Sequence, residues 1–585
     1  MWSPDFCPNP AEGGWSFNVW APKCSSLSLV THTPEGRKIF PLERGERGWF
    51  HVWVEGLSAG SEYGYLCGTK ELPDPASRFQ PHGVHGPSML VDPQFEWSDW
   101  AWKGLGREQL VVYELHVGTF SPQGTFDAVM EKLGYLRDLG VTAIEIMPVA
   151  QFPGPRNWGY DGVLLYSVQN SYGGPWGLKR LVNKAHMEGL GVILDVVYNH
   201  IGPEGNYLDF FAPFFSSKYT TPWGKSFNLD DAGCDEVRKY IIQNALYWIR
   251  EYHVDGLRLD AVHAIFDSSP KHIVQEICEK VKRTQDEVGK KLVVIAESDL
   301  NDPKVVYPKE RCGWGADAQW CDDFHHSIHA YLTGEREGYY ADFGGIDQVA
   351  KAFTKAFVYD GIYSSYRGRT HGAPVSGLDG CSFIVYSQNH DQVGNRRDAK
   401  RLLSLVGELK AKMAASMVIL SPFTPMLFMG EEYGETNPFY FFSSFGDEKV
   451  AEATSSGKKR EMGEYYVDPQ SLQAFERSKL DWCKADSEVG RRFLAFYREL
   501  IRIRKVYDLG CARNVEFKAS NKHIHIVRGK LNLLLVFEDC GVECGSWELV
   551  LCEGDFPKKL TAGYHVLGKG IAIYVEQKNT EPTRS

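Results

Sequence analysis

Eight short apolar runs, separated by longer stretches of helical periodicity, occupy the middle of the chain. They read LVVYELHVG, TAIEIMPV, GVILDVVYNH, DGLRLDAV, LVVIAESD, DAQWCDDF, FIVYSQNHD and PMLFMGEE, in that order, between residues 110 and 432. Between the first two, TFDAVMEKLGYLRDLG puts Phe126, Val129, Met130, Leu133, Leu136 and Leu139 on one helical face, and Gly140 follows as a stop. GLKRLVNKAHMEGLG and DEVRKYIIQNALYWIREY repeat that pattern, and AFYRELIRIRKVY follows the last run. Eight strand-like runs with helices between them predict an α/β fold, a closed (β/α)8 TIM barrel. The longer inserts at 151–176 and 201–234 are expected as loops at one rim.

The flanking regions have a different texture. Residues 1–95 read as an N-terminal β-sandwich: WSFNVWAP alternates Trp15, Phe17 and Val19 against Ser16, Asn18 and Trp20. The barrel is expected over 96–508. From 509 to 585, HIHIVRG, LNLLLVFED, WELVLCE and IAIYVE predict a C-terminal antiparallel β domain, with the last seven residues frayed.

A net charge of −11 argues against a nucleic-acid or anionic-membrane partner, either of which favours a basic patch. The opening MWSPDFCPNP lacks the features of a secretory signal, and no apolar run approaches transmembrane length. The 13 cysteines include no CxxC pair, so reduced, mostly buried thiols and a cytoplasmic location are expected.

One strand carries charge where it ought to be buried. In HVDGLRLDAVHA, Leu257 and Leu259 share one face, and Arg258 and Asp260 share the other. In a barrel, polar residues at the C-terminal ends of strands line the active-site mouth. Acidic and histidine side chains recur at that end: Asp195 and His200, then Asp260, Glu297, Asp322 and Asp323, His390 and Asp391, Glu431 and Glu432. Glycoside hydrolysis needs two carboxyl groups flanking the scissile bond. Asp260, beside Arg258, is expected to stay ionised and suits a nucleophile. Glu297, in VVIAES without an adjacent cation, is expected to favour the protonated form of a general acid. Asp391 is placed to stabilise positive charge on the sugar or to hold its hydroxyls. Taken singly, His200, His390, Trp158 and Tyr160 also fit ordinary structural roles.

These residues resemble the α-amylase family of glycoside hydrolases. Its four signatures are matched in order by DVVYNH (195–200), GLRLDAVH (256–263), IAES (295–298) and QNHDQ (388–392). The resemblance implies Asp260 as nucleophile, Glu297 as acid/base and Asp391 as transition-state stabiliser. It implies substrate contacts by Arg258, His263, His200, Trp158, Tyr160, Asp322, Asp323, His325, His326, His390, Gln392 and Asn395. Asn199 matches a position that binds calcium in some members, but no metal and no cofactor are expected here. The N-terminal sandwich is similar to the carbohydrate-binding-module-like domain of glycogen-branching and debranching enzymes.

Within the family, VYELHVGTFSPQGTF, FPGPRNWGYDGV, IAESDLNDP and DDFHH (322–326) are similar to the branch acting on malto-oligosyltrehalose. The implied reaction cuts the α-1,4 bond next to the terminal trehalose unit, with retention. The implied functional partner is malto-oligosyltrehalose synthase, which makes the substrate. The alternatives are a 1,4-α-glucan branching enzyme and, more remotely, a non-catalytic glucan-binding protein.

Overall fold

The computed structural model describes residues 2–33, 36–510, 512 and 514–577. Each of the eight apolar runs contains a strand: β1 (Val112–Leu115), β2 (Ala143–Ile146), β3 (Gly191–Val196), β4 (Gly256–Leu259), β5 (Val293–Ala296), β6 (Ala318–Trp320), β7 (Phe383–Val385) and β8 (Thr424–Phe428). Each pairs in parallel with the next, and β8 returns to β1, closing the barrel. Every residue of these strands is buried. Arg258 is buried with its strand, so it must find anions inside the fold.

The helices Gly174–Met187, Cys234–Glu251 and Glu488–Val506 lie where periodicity places them. The first predicted helix is two, Phe126–Met130 and Leu133–Leu139, broken at Glu131–Lys132. Its apolar face still packs, with Phe126, Val129, Leu133, Leu136 and Leu139 buried. Gly140 ends it with φ 103°, a left-handed conformation that glycine adopts without steric cost.

In Gly14–Trp20 the buried residues include Trp15, Phe17 and Val19, as the alternation requires. That strand belongs to a four-stranded sheet, and a five-stranded sheet lies in the same region. Cys24 and Cys67 form a disulfide with Cα atoms 5.8 Å apart, and Cys381 is also disulfide-bonded. The expectation of reduced thiols fails at these positions, while nine of the described cysteines are free. Cys67 pairs with Leu27 across the sheet, and that register brings Cys24 within bridging range. With it goes the thiol argument for a reducing compartment.

The C-terminal region holds a six-stranded antiparallel sheet containing His523–Arg528, Leu531–Val536, Gly570–Glu576 and Trp547–Glu553. The frayed terminus expected for the last seven residues lies outside the described residues. Arg528 ties this sheet to the barrel, and Arg504, on the barrel helix Glu488–Val506, shares one of its acceptors. Arg504 donates to the carbonyls of Ile419, Ser421 and Phe423, and Arg528 to those of Leu420 and Ser421. These carbonyls lie at and just beyond the C-terminus of helix Leu402–Ile419, where a cation suits the helix dipole. Burial pushes Arg504 down to about 9 and Arg528 to about 10.

Candidate active site

Arg258 organises the barrel mouth. Its side chain has no exposed surface. Nη1 donates to Asp195 Oδ2 at 2.7 Å and to Asp260 Oδ1 at 2.9 Å; Nη2 donates to Glu297 Oε2 at 2.6 Å. The guanidinium lies 4.2 Å from the ring centroid of Trp320, which closes one face of the group. Three strands thus deliver three carboxylates to one cation. The parallel register makes this possible, because Asp195 on β3 and Ile295 on β5 both align with Arg258.

The sequence reading of Glu297 needs correction here. It has a cation beside it after all, supplied by the neighbouring strand. Glu297 Oε2 also accepts the Ala261 N–H at 2.9 Å. Ala261 adopts a left-handed conformation, φ 39°, ψ 54°, which costs a non-glycine residue roughly 1–2 kcal/mol. That strained turn aims its N–H at Glu297, the kind of place where strain serves a site.

Asp260 is held from its other side by Asn199, whose amide donates to Oδ2 at 2.7 Å and to the Asp260 carbonyl at 3.0 Å. His200 Nδ1 bonds to Asn199 Oδ1 and so fixes the direction of that amide. Burial pushes His200 below the usual histidine range. Burial raises Asp195 to about 7 despite the pull of Arg258. The Tyr160 hydroxyl donates to Asp195 at 2.7 Å, and the Tyr160 ring stacks on His390 with centroids 5.2 Å apart.

Asp391 sits in the first turn of helix His390–Gly394, which Asn389 caps by accepting the N–H groups of Asp391 and Gln392. Asn395 donates to Asp391 Oδ1 at 3.0 Å, and His390 Nε2 lies 3.6 Å from Asp391 Oδ2. Gln392 donates at 3.0 Å to Asp322 Oδ1, which also accepts the Tyr386 hydroxyl at 2.5 Å. Burial lifts Asp322 to about 7; the Tyr386 hydrogen bond opposes this, and the charges of Glu297, Asp299 and Asp391 reinforce it.

DDFHH opens a helix, Asp322–Thr333, so its residues point in different directions. Asp322 faces the carboxylates just described. Asp323 accepts from Asn301, from the Val358 N–H and from the Tyr359 N–H, all at 2.7–2.8 Å, and anchors that segment. His325 is buried between the Ser387 carbonyl and the Tyr340 hydroxyl. His326 packs against Tyr339 with centroids 4.8 Å apart, and its Nδ1 has no partner among the described residues. His263 Nδ1 accepts the Asp299 N–H at 3.2 Å.

Trp158 is buried. Its Nε1 donates to the Tyr440 carbonyl, and its ring stacks on Phe439 and meets His390 edge-on, so it backs the wall. Trp223, by contrast, is half-exposed, 5.8 Å from the His200 ring. Glu431 and Glu432 are also buried: Glu432 accepts from Tyr113 and Tyr135, and Glu431 from Gln388. Sequence reasoning missed Trp320, Tyr386, Tyr339 and Glu114. Only Glu114 carried a signal, as a lone acid inside an apolar run.

The barrel and this cluster define an α-amylase-type glycosidase domain. Residues 94–219 and 229–509 match the family model described as alpha amylase, catalytic domain, and residues 5–93 match carbohydrate-binding module 48, the isoamylase N-terminal domain. The chain belongs to the α-amylase family of glycoside hydrolases. Within that family it is 52% identical over 566 residues to the malto-oligosyltrehalose trehalohydrolase of Saccharolobus solfataricus, covering 96% of this chain and 98% of that one. It is 43% identical to the Arthrobacter ramosus protein of the same name, covering 95% and 99%. A crystal structure from Salmonella typhimurium, described as a candidate alpha amylase, superimposes with a TM-score of 0.90 at 36% identity, covering 98% of this chain and all of that one. A 1,4-alpha-glucan branching enzyme from Corynebacterium jeikeium is 28% identical over 55% of the chain and half of its own length.

Proposed function

We propose that the chain hydrolyses the α-1,4-glucosidic bond next to the terminal trehalose unit of malto-oligosyltrehalose, releasing trehalose and a malto-oligosaccharide. One observation carries the catalytic part: Asp260 and Glu297 share the guanidinium of Arg258, and Asp391, against His390, lies close enough that its charge bears with theirs on Asp322 and Tyr160. The high identity to the trehalohydrolases over nearly the whole chain supports the choice of substrate.

In this reading Asp260 attacks the anomeric carbon of the sugar on the cleaved side. Glu297 gives its proton to the departing glycosidic oxygen, and trehalose leaves. A covalent glycosyl ester on Asp260 remains. Glu297, now a carboxylate, takes a proton from water, whose oxygen attacks the same carbon and frees Asp260. Two inversions give net retention. Asp391 and His390 hold the sugar while positive charge develops on its ring. Arg258 fixes the nucleophile and the acid relative to each other, and such positioning carries much of a catalyst's advantage.

The substrate is uncharged, so selectivity must come from shape and hydroxyl recognition. Asp322, which faces the catalytic acids, and His326, packed against Tyr339, are assigned to reading the bend of the α,α-1,1 linkage. Replacing both with alanine is expected to erode the preference for trehalose-capped over plain maltodextrin; an unchanged ratio would count against the assignment. The supplying enzyme is a malto-oligosyltrehalose synthase. Among the described residues no helix is long and apolar enough to cross a membrane.

Product analysis tests the whole reading. Maltotriosyl-trehalose should yield free trehalose and maltotriose with retained configuration. New α-1,6 branch points on a long α-1,4-glucan, without trehalose from the capped oligomer, would instead identify a branching enzyme.

A further inference from the structure

A buried pair sits beneath the mouth, between β1, which the mechanism above leaves idle, and the short helix that carries His390. Glu114 lies on β1 and is about 1% exposed. Its Oε1 is 2.5 Å from His390 Nδ1, and its Oε2 accepts the His390 backbone N–H at 3.1 Å. One carboxylate therefore grips both the ring and the main chain of the same residue, across 276 positions of sequence. Taking two charges out of water costs several kcal/mol per ion, and well-packed apolar residues are often as stable. A pair kept at such a cost, one bond from a sugar-contacting ring, calls for a functional explanation.

We propose that Glu114 is a positioning residue for the glycosidic reaction, acting through His390: it fixes the ring and keeps it cationic, so that Nε2–H presents a charged donor to the sugar beside Asp391. The inference rests on the reading of this mouth as the hydrolytic site. The surroundings of the ring support it. Tyr160 covers one face by stacking, and Trp158 meets it edge-on. Arg258, from β4, opposes a second positive charge, and Asp391 favours one. His116, from the end of β1, is pushed down to about 4 by burial and so faces His390 neutral.

Glu145 on β2 aligns with Glu114 and also faces this region, yet neither of its oxygens has a partner among the described residues. Burial pushes it well above the usual carboxylate range, and the nearby Glu114 adds to the rise. Glu114 is thus the carboxyl group in direct contact with Nδ1. Desolvation would lower the His390 pKa, but Asp391 and Glu114 outweigh it and raise it to about 9.

Glu114→Gln keeps the shape and removes the charge. Two readouts decide the matter: the pH titration of the His390 ring, followed by selective isotope labelling in the whole protein, and kcat and KM from pH 5 to 10. The wild-type ring should hold its proton to about pH 9. In Glu114→Gln it should lose it roughly one to three units lower, the usual effect of removing an adjacent opposite charge. At pH 8, kcat should fall on the order of 10²-fold, as for a misplaced catalytic group. His390→Asn should fall similarly, and the double variant should be no worse than His390→Asn alone.

An unmoved ring titration in Glu114→Gln overturns the proposal even if melting temperature drops. So do losses that multiply in the double variant, or a shifted titration with unchanged kcat. Should Glu114→Gln not fold, Glu114→Asp, which keeps the charge but withdraws it, must show a smaller shift of the same sign. If no substrate is turned over at all, the function assigned above fails, while the ring titration still tests the Glu114–His390 coupling.

Discussion

Arg258→Lys is the sharpest perturbation of the site, because it keeps the charge and removes the fork. Arginine reaches Asp195 and Asp260 through Nη1 and Glu297 through Nη2, at 2.6–2.9 Å. A single ammonium on a lysine stem cannot occupy both ends of that span. One arm is lost, and a hydrogen bond to a charged group contributes roughly 1.5–3 kcal/mol. If that arm fixes the nucleophile relative to the acid, the loss appears in the transition state. At about 1.36 kcal/mol per decade it corresponds to a fall of roughly 10- to 160-fold in kcat/KM. The assay is initial-rate release of trehalose from maltotriosyl-trehalose, with melting temperature recorded in parallel. Arg258→Met should be worse in both respects, since it strands three carboxylates and breaking buried pairs costs about 3–5 kcal/mol. Should Arg258→Lys stay within about twofold of wild type, the guanidinium does not set the geometry of the pair, and the argument from shared coordination falls.

Asp260→Ala should lose several orders of magnitude in kcat, because it abolishes the covalent intermediate; residual turnover within about tenfold of wild type would displace Asp260 as nucleophile. His186 gives a stability prediction. It is buried between Asp99 and Asp255, 2.8 Å from each. Desolvation pushes its pKa down, but the hydrogen bonds and charge of the two carboxylates outweigh this and raise it above 6.5. The extra stability is therefore complete below about pH 6.5 and lost as pH rises through the higher folded value. Chemical denaturation of wild type against His186→Gln should show a gap that narrows from pH 6 to pH 9; a gap that widens would contradict the sign. Breaking the Cys24–Cys67 bridge, which closes 43 residues, should cost up to about 4 kcal/mol in the chain-entropy account and leave kcat unchanged. A thermal melt of Cys67→Ser that matches wild type would show the bridge to be energetically idle.

Much of this molecule is legible along the chain. The eight apolar runs are local, and a run bounded by helical periodicity identifies a strand wherever its partners lie. The alternation Leu257–Arg258–Leu259–Asp260 states by itself that one face of β4 is charged. It also puts Arg258 beside Asp260, because residues two apart share a face. Asp195, Asp260 and Glu297 likewise show their position at strand ends without any coordinates, whereas Asp391 lies on the short helix that follows β7.

What periodicity cannot give is distance between strands. Glu297 looked cationless because its own strand is apolar, yet Arg258 meets it from the neighbouring one at 2.6 Å. Asp323 and His325 looked equivalent to Asp322 and His326 until the helix turned them inward. Cys24 and Cys67 were unremarkable thiols until strand register brought them together. Glu114 and His390, 276 residues apart, meet only because the barrel closes. Backbone chemistry acts over a few residues and so can be read in order. Charge and contact act through space, and only the closed sheet brings the distant side chains within a few ångströms.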